Sequence, residues 1–203
     1  MSQYFVVHES NPQQRLIRRA AEIVHAGGLV AYPTDTAYAL GCHLGDKRAL
    51  DRIRLVRRLD KGHLLTLACA NLSALATYAR VDNASYRILK HYTPGPFTFL
   101  LPATREVPRR LVNPKRKTIG LRVPDNAVCQ ALLEAVGEPM MTTTLRLPDD
   151  EYPLTDPEDI RTLLEHQVDL VLNGGWGGIE PTTVVDLTDT PVVVREGLGV
   201  FEG

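Results

Sequence analysis

Apolar and polar residues along the chain follow two different spacings, and this difference predicts where helices and strands lie. Short apolar runs bounded by turn residues predict strands at residues 4–7, 29–32, 64–70, 97–102, 118–124, 140–145, 168–172, 183–187 and 191–196. Between these runs, apolar residues recur three and four positions apart, which is typical of a helix with one buried face. This pattern predicts helices that begin at residues 11, 46, 125 and 155, and two short helices around 71–78 and 82–91.

Polar residues and glycines mark the ends of two of these helices. Asn11 followed by Pro12 is typical of a helix start, and the helix is expected to end at Gly27. Asp125 is expected to cap the helix that ends at Gly137.

Helices and strands alternate along the whole chain, and no repeat, low-complexity segment or long linker divides it. This alternation predicts a single domain over residues 1–203, of the α/β or α+β class with a mixed sheet.

The composition narrows the class of protein. The chain is 44% apolar and 23% charged with a net charge of −1, so no global field would attract nucleic acid or a membrane. No basic segment followed by a long apolar run opens the chain, so we expect no signal peptide and no membrane span. Cys42, Cys69 and Cys129 are far apart and odd in number, which predicts reduced core thiols in a cytoplasmic protein.

Several catalytic motifs are missing from the sequence. It has neither the phosphate-binding glycine loop that ends in lysine nor the dinucleotide-binding glycine pattern. Residues 173–178, NGGWGG, carry no lysine and precede a strand, so they are interpreted as a flexible turn. The six histidines show no ligand spacing, and no serine or cysteine nucleophile has its local signature. Covalent and metal-dependent catalysis are therefore not expected.

What remains is a set of hydroxyl and guanidinium groups near strand ends. They are Thr34, Thr36, Tyr38, Arg58, Arg122, Thr142, Thr143, Thr144, Thr182, Thr183 and Arg195. For each one alone, a solvated loop residue or a threonine that favours a strand is the better explanation. Together they describe a site that positions an anion without a nucleophile, as phosphoryl or adenylyl transfer requires.

The order of these segments resembles the YrdC/YciO family, which includes threonylcarbamoyl-AMP synthases. The segments that carry the resemblance are AYPTDTAYALGC (31–42), TPGPFTFLL (93–101), IGLRVPDN (119–126), GEPMMTTTL (137–145) and PTTVVDLTDTPVVVREG (181–197). They occur in the family's order over about 170 residues, and the first and last stretches look most like the YciO branch.

The resemblance implies a twisted sheet folded around a concave, positively charged cavity. Family enzymes there combine L-threonine, bicarbonate and ATP with Mg²⁺, release pyrophosphate and form threonylcarbamoyl-AMP, which later modifies an adenosine in tRNA. By resemblance, the substrate side would consist of Thr34, Thr36, Tyr38, Arg122 and Thr182. The nucleotide side would consist of Arg58, Thr142, Thr144 and Arg195, with Arg58 and Thr144 as the catalytic residues and no protein metal ligand.

Two departures from the family pattern weaken the expected activity. The synthases carry lysine-x-arginine at the end of the second helix, where residues 56–58 here read Val-Arg-Arg. They also carry serine-x-asparagine after the hydroxyl-rich strand, where residues 144–146 read Thr-Leu-Arg. Losing one preorganised donor typically costs about 2.7–4 kcal/mol of transition-state stabilisation. We therefore expect a weak nucleotidyltransferase, unless Arg57, Lys61 or Arg146 compensates.

A second hypothesis is that the protein binds tRNA or double-stranded RNA and keeps the cavity without efficient catalysis. The segment from 105 to 122 contains seven basic residues and one acidic residue, Glu106. Its proposed RNA contacts are Arg109, Arg110, Lys115, Arg116 and Lys117. No aromatic residue lies among them, so contact with phosphates is expected and base stacking is not. A solvated loop explains the same segment equally well.

Overall fold

The structure is a computed structural model that describes residues 1–60 and 62–203. Its strands are β1 (Gln3–Val6), β2 (Val30–Tyr32), β3 (Ala39–His43), β4 (Thr66–Ala68), β5 (Phe97–Pro102), β6 (Thr118–Arg122), β7 (Met140–Thr144), β8 (Leu170–Asn173), β9 (Thr183–Asp186) and β10 (Val192–Arg195). Its helices are α1 (Gln14–His25), α2 (Lys47–Arg57), α3 (Leu72–Tyr78), α4 (Asn83–Tyr92), α5 (Ala127–Val136) and α6 (Pro157–Leu164).

The ten strands form one mixed sheet in the order β1-β8-β2-β3-β7-β4-β6-β5-β9-β10. The pairs β1–β8, β2–β8, β4–β6 and β5–β9 are parallel, and the other neighbours are antiparallel. The predicted single α/β domain with a mixed sheet is therefore confirmed.

Strand alternation sorts the core onto the two faces of this sheet. In β8, Leu170 and Leu172 pack on one face and Val171 on the other. The first face is covered by α1 and α5, with Ile17 and Leu132 among its fully buried residues. Buried residues of α2, α3, α4 and α6 join the cluster on the second face. The sheet thus lies between two helical layers, which explains the continuous apolar runs of its strands.

The starts of two helices differ from the sequence prediction. Helix α1 begins at Gln14, not at Asn11, and the residue at its cap position, Gln13, makes no side-chain capping bond. Helix α5 is capped by Asn126, whose side-chain oxygen accepts the amide of Cys129 at 2.9 Å, and not by Asp125. Aspartate and asparagine are both common helix caps, so the sequence alone does not distinguish Asp125 from Asn126 as the capping residue of α5.

Strand β3 was not predicted. It lies in the middle of the sheet between β2 and β7, where residues 39–43 read as the exit from a turn in the sequence. Gly41 interrupts the apolar pattern there. A Cβ atom at Gly41 would lie 2.6 Å from the ring of Tyr32, so the close packing of the Tyr32 side chain requires glycine at this point.

The three cysteines are free and buried, as predicted. Burial raises the pKa of Cys42, Cys69 and Cys129 to about 12, so their thiols stay protonated at neutral pH. Over the described part of the chain, the six helices fall short of the length and apolar content that a membrane crossing needs.

Candidate functional site

A cavity of about 510 Å³ lies on the sheet face that α1 and α5 pack against, and β3, β4 and β7 contribute residues both to this cavity and to the apolar cluster under the two helices. Thr66, Thr98, Leu100, Thr142 and Val184 form its floor. We call the residues of this face that line the cavity the bare half of the sheet, and the residues of the same face that pack under α1 and α5 the covered half.

Register explains which residues of these strands face the cavity and which face the core on the opposite side of the sheet. Thr66 pairs with Gly120, which pairs with Leu100, and Thr98 pairs with Val184, so these residues share the cavity face. The alternate residues of the same strands are fully buried on the opposite face; they are Leu67, Phe99, Leu121 and Val185. Side-chain alternation along these strands therefore gives the sheet one face toward the cavity and one face toward the core.

Eight of the eleven hydroxyl and guanidinium residues singled out in the sequence line this cavity, and three do not. The eight are Thr36, Tyr38, Arg122, Thr142, Thr143, Thr144, Thr182 and Arg195. Thr34, Arg58 and Thr183 are not part of the lining within the described residues.

Thr34 is a turn residue. Its hydroxyl donates to the carbonyl of Ala37 at 2.6 Å and accepts the amide of Thr36 at 3.2 Å, so its hydrogen-bonding capacity is used inside residues 34–37. The side chain is buried. Thr34 therefore shapes the turn that presents Thr36, and it lies behind the cavity lining to which Thr36 belongs.

Tyr38 belongs to the cavity lining, and its hydroxyl holds a loop. The hydroxyl donates to the carbonyl of Gly175 at 2.7 Å and lies 3.3 Å from the amide of Gly174. Burial raises the pKa of Tyr38. A Cβ atom at Gly177 would lie 2.7 Å from this ring, so the glycine-rich segment 173–178 is packed against Tyr38 and is not a free turn.

Arg122 is already paired with a carboxylate of the chain. Its guanidinium forms a buried ion pair with Asp35 and donates to the hydroxyl of Thr36 at 3.4 Å. The second oxygen of Asp35 accepts the amide of Asp125 at 3.0 Å, which ties the pair to the start of α5. Asp35 lies within the segment 31–42 that carries the family resemblance, but no spacing in the sequence indicates that it pairs with an arginine 87 residues away.

The structure places Arg57 at the cavity wall, and Arg58 lies outside it. Helix α2 ends at Arg57, and Arg58 adopts a left-handed backbone with φ +47°. The side chain of Arg58 is 74% exposed and lies 3.3 Å from Asp149. Val56 belongs to the core, as its position on the apolar stripe predicts. Arg57 therefore lies at the cavity and Arg58 lies outside it, and the sequence does not reveal this difference because it does not show where the helix unwinds.

Arg57 and Arg146 form a cationic corner of the cavity. Arg57 donates to the backbone carbonyl of Arg146, and both side chains line the wall. Burial lowers the pKa of Arg57, and the charge of Arg146 lowers it further. His63 lines the same wall, and its pKa is lowered by burial and then by Arg57. Positive charges crowded together in this way are stabilised by an anion. Lys61, the third candidate for compensation, lies outside the described residues.

Arg195 and Thr182 form the opposite corner together with Thr98, which the sequence analysis missed. Arg195 donates through Nε and Nη2 to the carbonyl of Thr182, at 3.2 and 2.8 Å, and through Nη2 to its hydroxyl at 3.0 Å. The hydroxyls of Thr182 and Thr98 lie 2.9 Å apart. Burial lowers the pKa of Arg195. In the described part of the chain, Nη1 of Arg195 has no hydrogen-bond partner and can meet a ligand.

Two of the three predicted threonines of β7, Thr142 and Thr144, differ in the hydrogen bonds that they can offer to a ligand. Thr142 is buried, and its hydroxyl donates to the carbonyl of Leu40 at 3.1 Å, so it accepts from the hydroxyl of Tyr32 at 2.8 Å. Burial raises the pKa of Tyr32. Thr144 is exposed at the end of β7 and its hydroxyl has no partner among the described residues. Thr144 can therefore contact a ligand, whereas Thr142 supports the floor.

The basic segment is partly committed to contacts inside the protein. Arg110 donates to the carbonyl of Gly45, and Arg116 forms an ion pair with Asp186 and donates to Thr188 at 3.0 Å. The other three predicted RNA contacts are exposed and form no ion pair within the described residues; they are Arg109, Lys115 and Lys117. Two of the five predicted contacts thus have a structural partner.

Known proteins resemble this chain in sequence and in fold. The family model Sua5_yciO_yrdC, described as "Telomere recombination", matches residues 22–197. The uncharacterized protein YciO of Escherichia coli is 58% identical over 200 residues, which cover 98% of this chain and 97% of YciO. The threonylcarbamoyl-AMP synthase of Marinobacter nauticus is 29% identical over 181 residues, covering 88% of this chain and 94% of the synthase.

Solved structures agree with these sequence matches. The crystal structure of E. coli YciO gives a TM-score of 0.95 and covers 100% of this chain and 98% of that chain. The crystal structure of P. abyssi Sua5 complexed with L-threonine gives a TM-score of 0.87 at 26% identity and covers 97% of this chain. This chain spans 58% of the Sua5 chain. The chain belongs to the Sua5/YciO/YrdC family.

Proposed function

We propose that the protein is a threonylcarbamoyl-AMP synthase-like nucleotidyltransferase that forms threonylcarbamoyl adenylate from L-threonine, bicarbonate and ATP for tRNA modification, with reduced activity. Family members named threonylcarbamoyl-AMP synthase and the L-threonine complex of Sua5 support this substrate class. The relatives named YciO are uncharacterized, so the residues of the cavity must carry the proposal.

The observation that carries it is the charge of the cavity wall. Four arginines line the wall and one acidic side chain, Glu151, lies among them; the arginines are Arg57, Arg122, Arg146 and Arg195. Arg122 is neutralised by Asp35, which leaves three uncompensated guanidinium groups around about 510 Å³, a volume in the range of small-molecule sites. Such a wall selects an anionic ligand, and triphosphate is the most highly charged of the proposed substrates.

The nucleotide phosphates would contact the cationic corner. Arg57 and Arg146 approach from one side, and Nη1 of Arg195 approaches from the other. The hydroxyl of Thr144 lies at the end of β7 on the same face and donates to an oxygen of the transferred group. These groups position and neutralise charge, which is the main requirement of adenylyl transfer.

The amino acid would occupy the side formed by Thr36, Tyr38, Arg122 and Thr182. A substrate carboxylate would share Arg122 with Asp35, since the ion pair holds one edge of the guanidinium. This arrangement fixes the orientation of Arg122 before the substrate arrives. A preorganised guanidinium loses less side-chain entropy on binding than a flexible one.

Mg²⁺ would enter as the complex with ATP. Glu151 is the carboxylate on the cavity wall that is not in an ion pair within the described residues, so it fits as one protein oxygen for the metal. Mg²⁺ typically keeps waters and substrate phosphates as its other ligands, which suits a wall with a single free carboxylate.

The geometry also refines the expected loss of activity. Arg57 already supplies a cation at the end of α2, so the apolar residue at position 56 removes little from the cavity. The second departure still applies, because Arg146 stands where the synthases have an asparagine and therefore lacks its amide group. One missing donor lowers the rate by roughly 10²–10³, and we expect a deficit of this size relative to a family synthase.

The test is to incubate the purified protein with ATP, Mg²⁺, L-threonine and bicarbonate, and to measure pyrophosphate and the threonylcarbamoyl adenylate. Product should require threonine and should fall in Arg57→Ala but not in Arg58→Ala. A family synthase measured alongside sets the scale. Absence of both adenylate formation and saturable ATP binding would contradict the proposal.

The exposed cations Arg109, Lys115 and Lys117 favour a second function, RNA contact, which is compatible with the first. Phosphate contacts by three cations would make binding weaken steeply with salt and depend little on sequence. Changing these three residues to alanine should abolish binding of duplex RNA, whereas Arg116→Ala alone should affect mainly the pair with Asp186. Unchanged RNA affinity in the triple variant would place the contact elsewhere.

A further inference from the structure

The fold brings together His25, His43 and Glu138, which are far apart in the sequence. His25 ends α1, His43 ends β3, and Glu138 lies between α5 and β7. One ligand atom of each lies within 4.8 Å of the ligand atoms of the other two. Spacings of 18 and 95 residues match no metal-binding motif, which explains why the sequence analysis expected no metal site.

The cluster lies away from the cavity. Ala39, at the start of β3, lines the cavity, and His43 is the last residue of the same strand. Four residues of strand separate them by about 13 Å, so the two sites occupy opposite ends of the sheet. A ligand at the histidine cluster would therefore not contact a nucleotide in the cavity.

The side chains of His43 and Glu138 touch without completing a hydrogen bond. Nε2 of His43 lies against Oε1 of Glu138, but this oxygen is buried and has no aligned donor in the described residues. The ring of His25 lies close by, with its centroid 5.8 Å from that of His43. The half-exposed cluster thus combines a buried carboxylate oxygen with two imidazoles.

We propose that His25, His43 and Glu138 form a binding site for Zn²⁺. Two imidazoles and one carboxylate are a donor set that Zn²⁺ accepts, with bond lengths of about 2.0–2.2 Å. Ligand atoms within 4.8 Å of one another need only small side-chain rotations to meet around one ion. Three protein ligands leave a fourth position for water, which agrees with the partial exposure of the cluster.

Binding at Nε2 of His43 has a cost that limits the affinity. The amide of Gly45 donates to Nδ1 of His43 at 3.1 Å, so the proton of the neutral ring lies on Nε2 in the metal-free protein. Zn²⁺ at Nε2 requires this proton on Nδ1, which breaks the bond from Gly45. The carbonyl of Gly45 accepts from Arg110, so the metal would also disturb this contact.

Calorimetric titration of the full chain with ZnCl₂ tests the site. We expect one ion per chain and a melting temperature that rises with Zn²⁺ concentration, since the ion binds the folded state. His43→Gln and Glu138→Gln should each weaken binding at least about tenfold, because each removes a direct ligand. His166→Gln is the matched control, since His166 also lies beside a carboxylate, 3.8 Å from Glu165, without a third ligand nearby in the described chain.

Unchanged Zn²⁺ affinity in the variant that combines His25→Gln, His43→Gln and Glu138→Gln would overturn the proposal, as would absence of binding by the natural chain at 100 μM Zn²⁺. If a variant fails to fold, NMR of the natural chain decides. Zn²⁺ should then shift the ring signals of His25 and His43 and the amide signal of Gly45, and shifts confined to other residues would reject the site. The cluster and the cavity lining share no residue, and the Zn²⁺ titration is made without ATP, which itself chelates Zn²⁺, so either proposal can fail without the other.

Discussion

The covered and bare halves of the sheet share one face and use the same strand geometry for different purposes. Under α1 and α5 the face consists of residues such as Val30, Tyr32, Met140 and Leu170, all fully buried. Around the cavity it consists mainly of threonines and arginines, with the apolar residues Leu100 and Val184 between them. The difference is the helical cover: covered positions supply apolar contact for stability, and bare positions are free to carry polar groups for binding.

The ion pair between Asp35 and Arg122 joins the two halves and should give the largest effect. Both side chains are only 9% exposed, and Asp35 also accepts the amide of Asp125 ahead of α5. Asp35→Asn leaves a buried guanidinium without its counter-charge and should destabilise the protein by about 3–5 kcal/mol. Urea denaturation measures this loss.

Asp149→Asn is the control for that experiment. Asp149 also lies beside an arginine, Arg58, at 3.3 Å, but its side chain is 90% exposed. Its loss should change stability by less than about 1 kcal/mol. If the two variants were equally stable, the ion pair would not link the covered and bare halves.

Leu132 and Thr98 sharpen the comparison within the sheet face. Leu132 of α5 is fully buried against the covered half, and Leu132→Ala should cost about 3 kcal/mol of unfolding free energy through lost contacts and a cavity. Thr98 is on the bare half, where Thr98→Val keeps the shape and removes one hydrogen bond with Thr182, at a cost of about 1 kcal/mol. Equal losses of stability in urea would contradict the division into two halves.

Arg57 and Arg58 are adjacent cations that the structure separates. Arg57→Ala should weaken ATP binding about tenfold, since it removes a charged donor worth roughly 1.4 kcal/mol. Arg58→Ala should leave ATP binding nearly unchanged, because its side chain points to Asp149 and solvent. Calorimetry with ATP and Mg²⁺ distinguishes them, and the reverse order would restore the role that the sequence assigned to Arg58.

The fold was more predictable than the site because apolar periodicity is a local signal. Nine of the strands and the type of every helix follow from patterns of a few residues, and β3 was missed where Gly41 and its neighbours break that pattern. The threonine-rich strands were recognised by resemblance. The pairing of Arg122 with Asp35 and the choice of Arg57 over Arg58 depend on contacts across the fold and on the residue at which α2 unwinds. No local pattern encodes either.

The smallest expected effect is a change in the titration of His63. Burial and the neighbouring Arg57 hold the pKa of this ring below its usual value of about 6.5. The unfolded chain therefore binds more protons than the folded chain between these two pKa values. The contribution of His63 to stability is thus present above pH 6.5 and decreases as the pH falls through this window.

Bound phosphate would counter the charge of Arg57 and raise the pKa of His63, so ATP should bind more tightly toward pH 6. NMR titration of the ring with and without ATP measures both changes, with Arg57→Ala as the control that raises the pKa without nucleotide. A pKa that does not respond to ATP would place the phosphates away from the corner formed by Arg57 and Arg146.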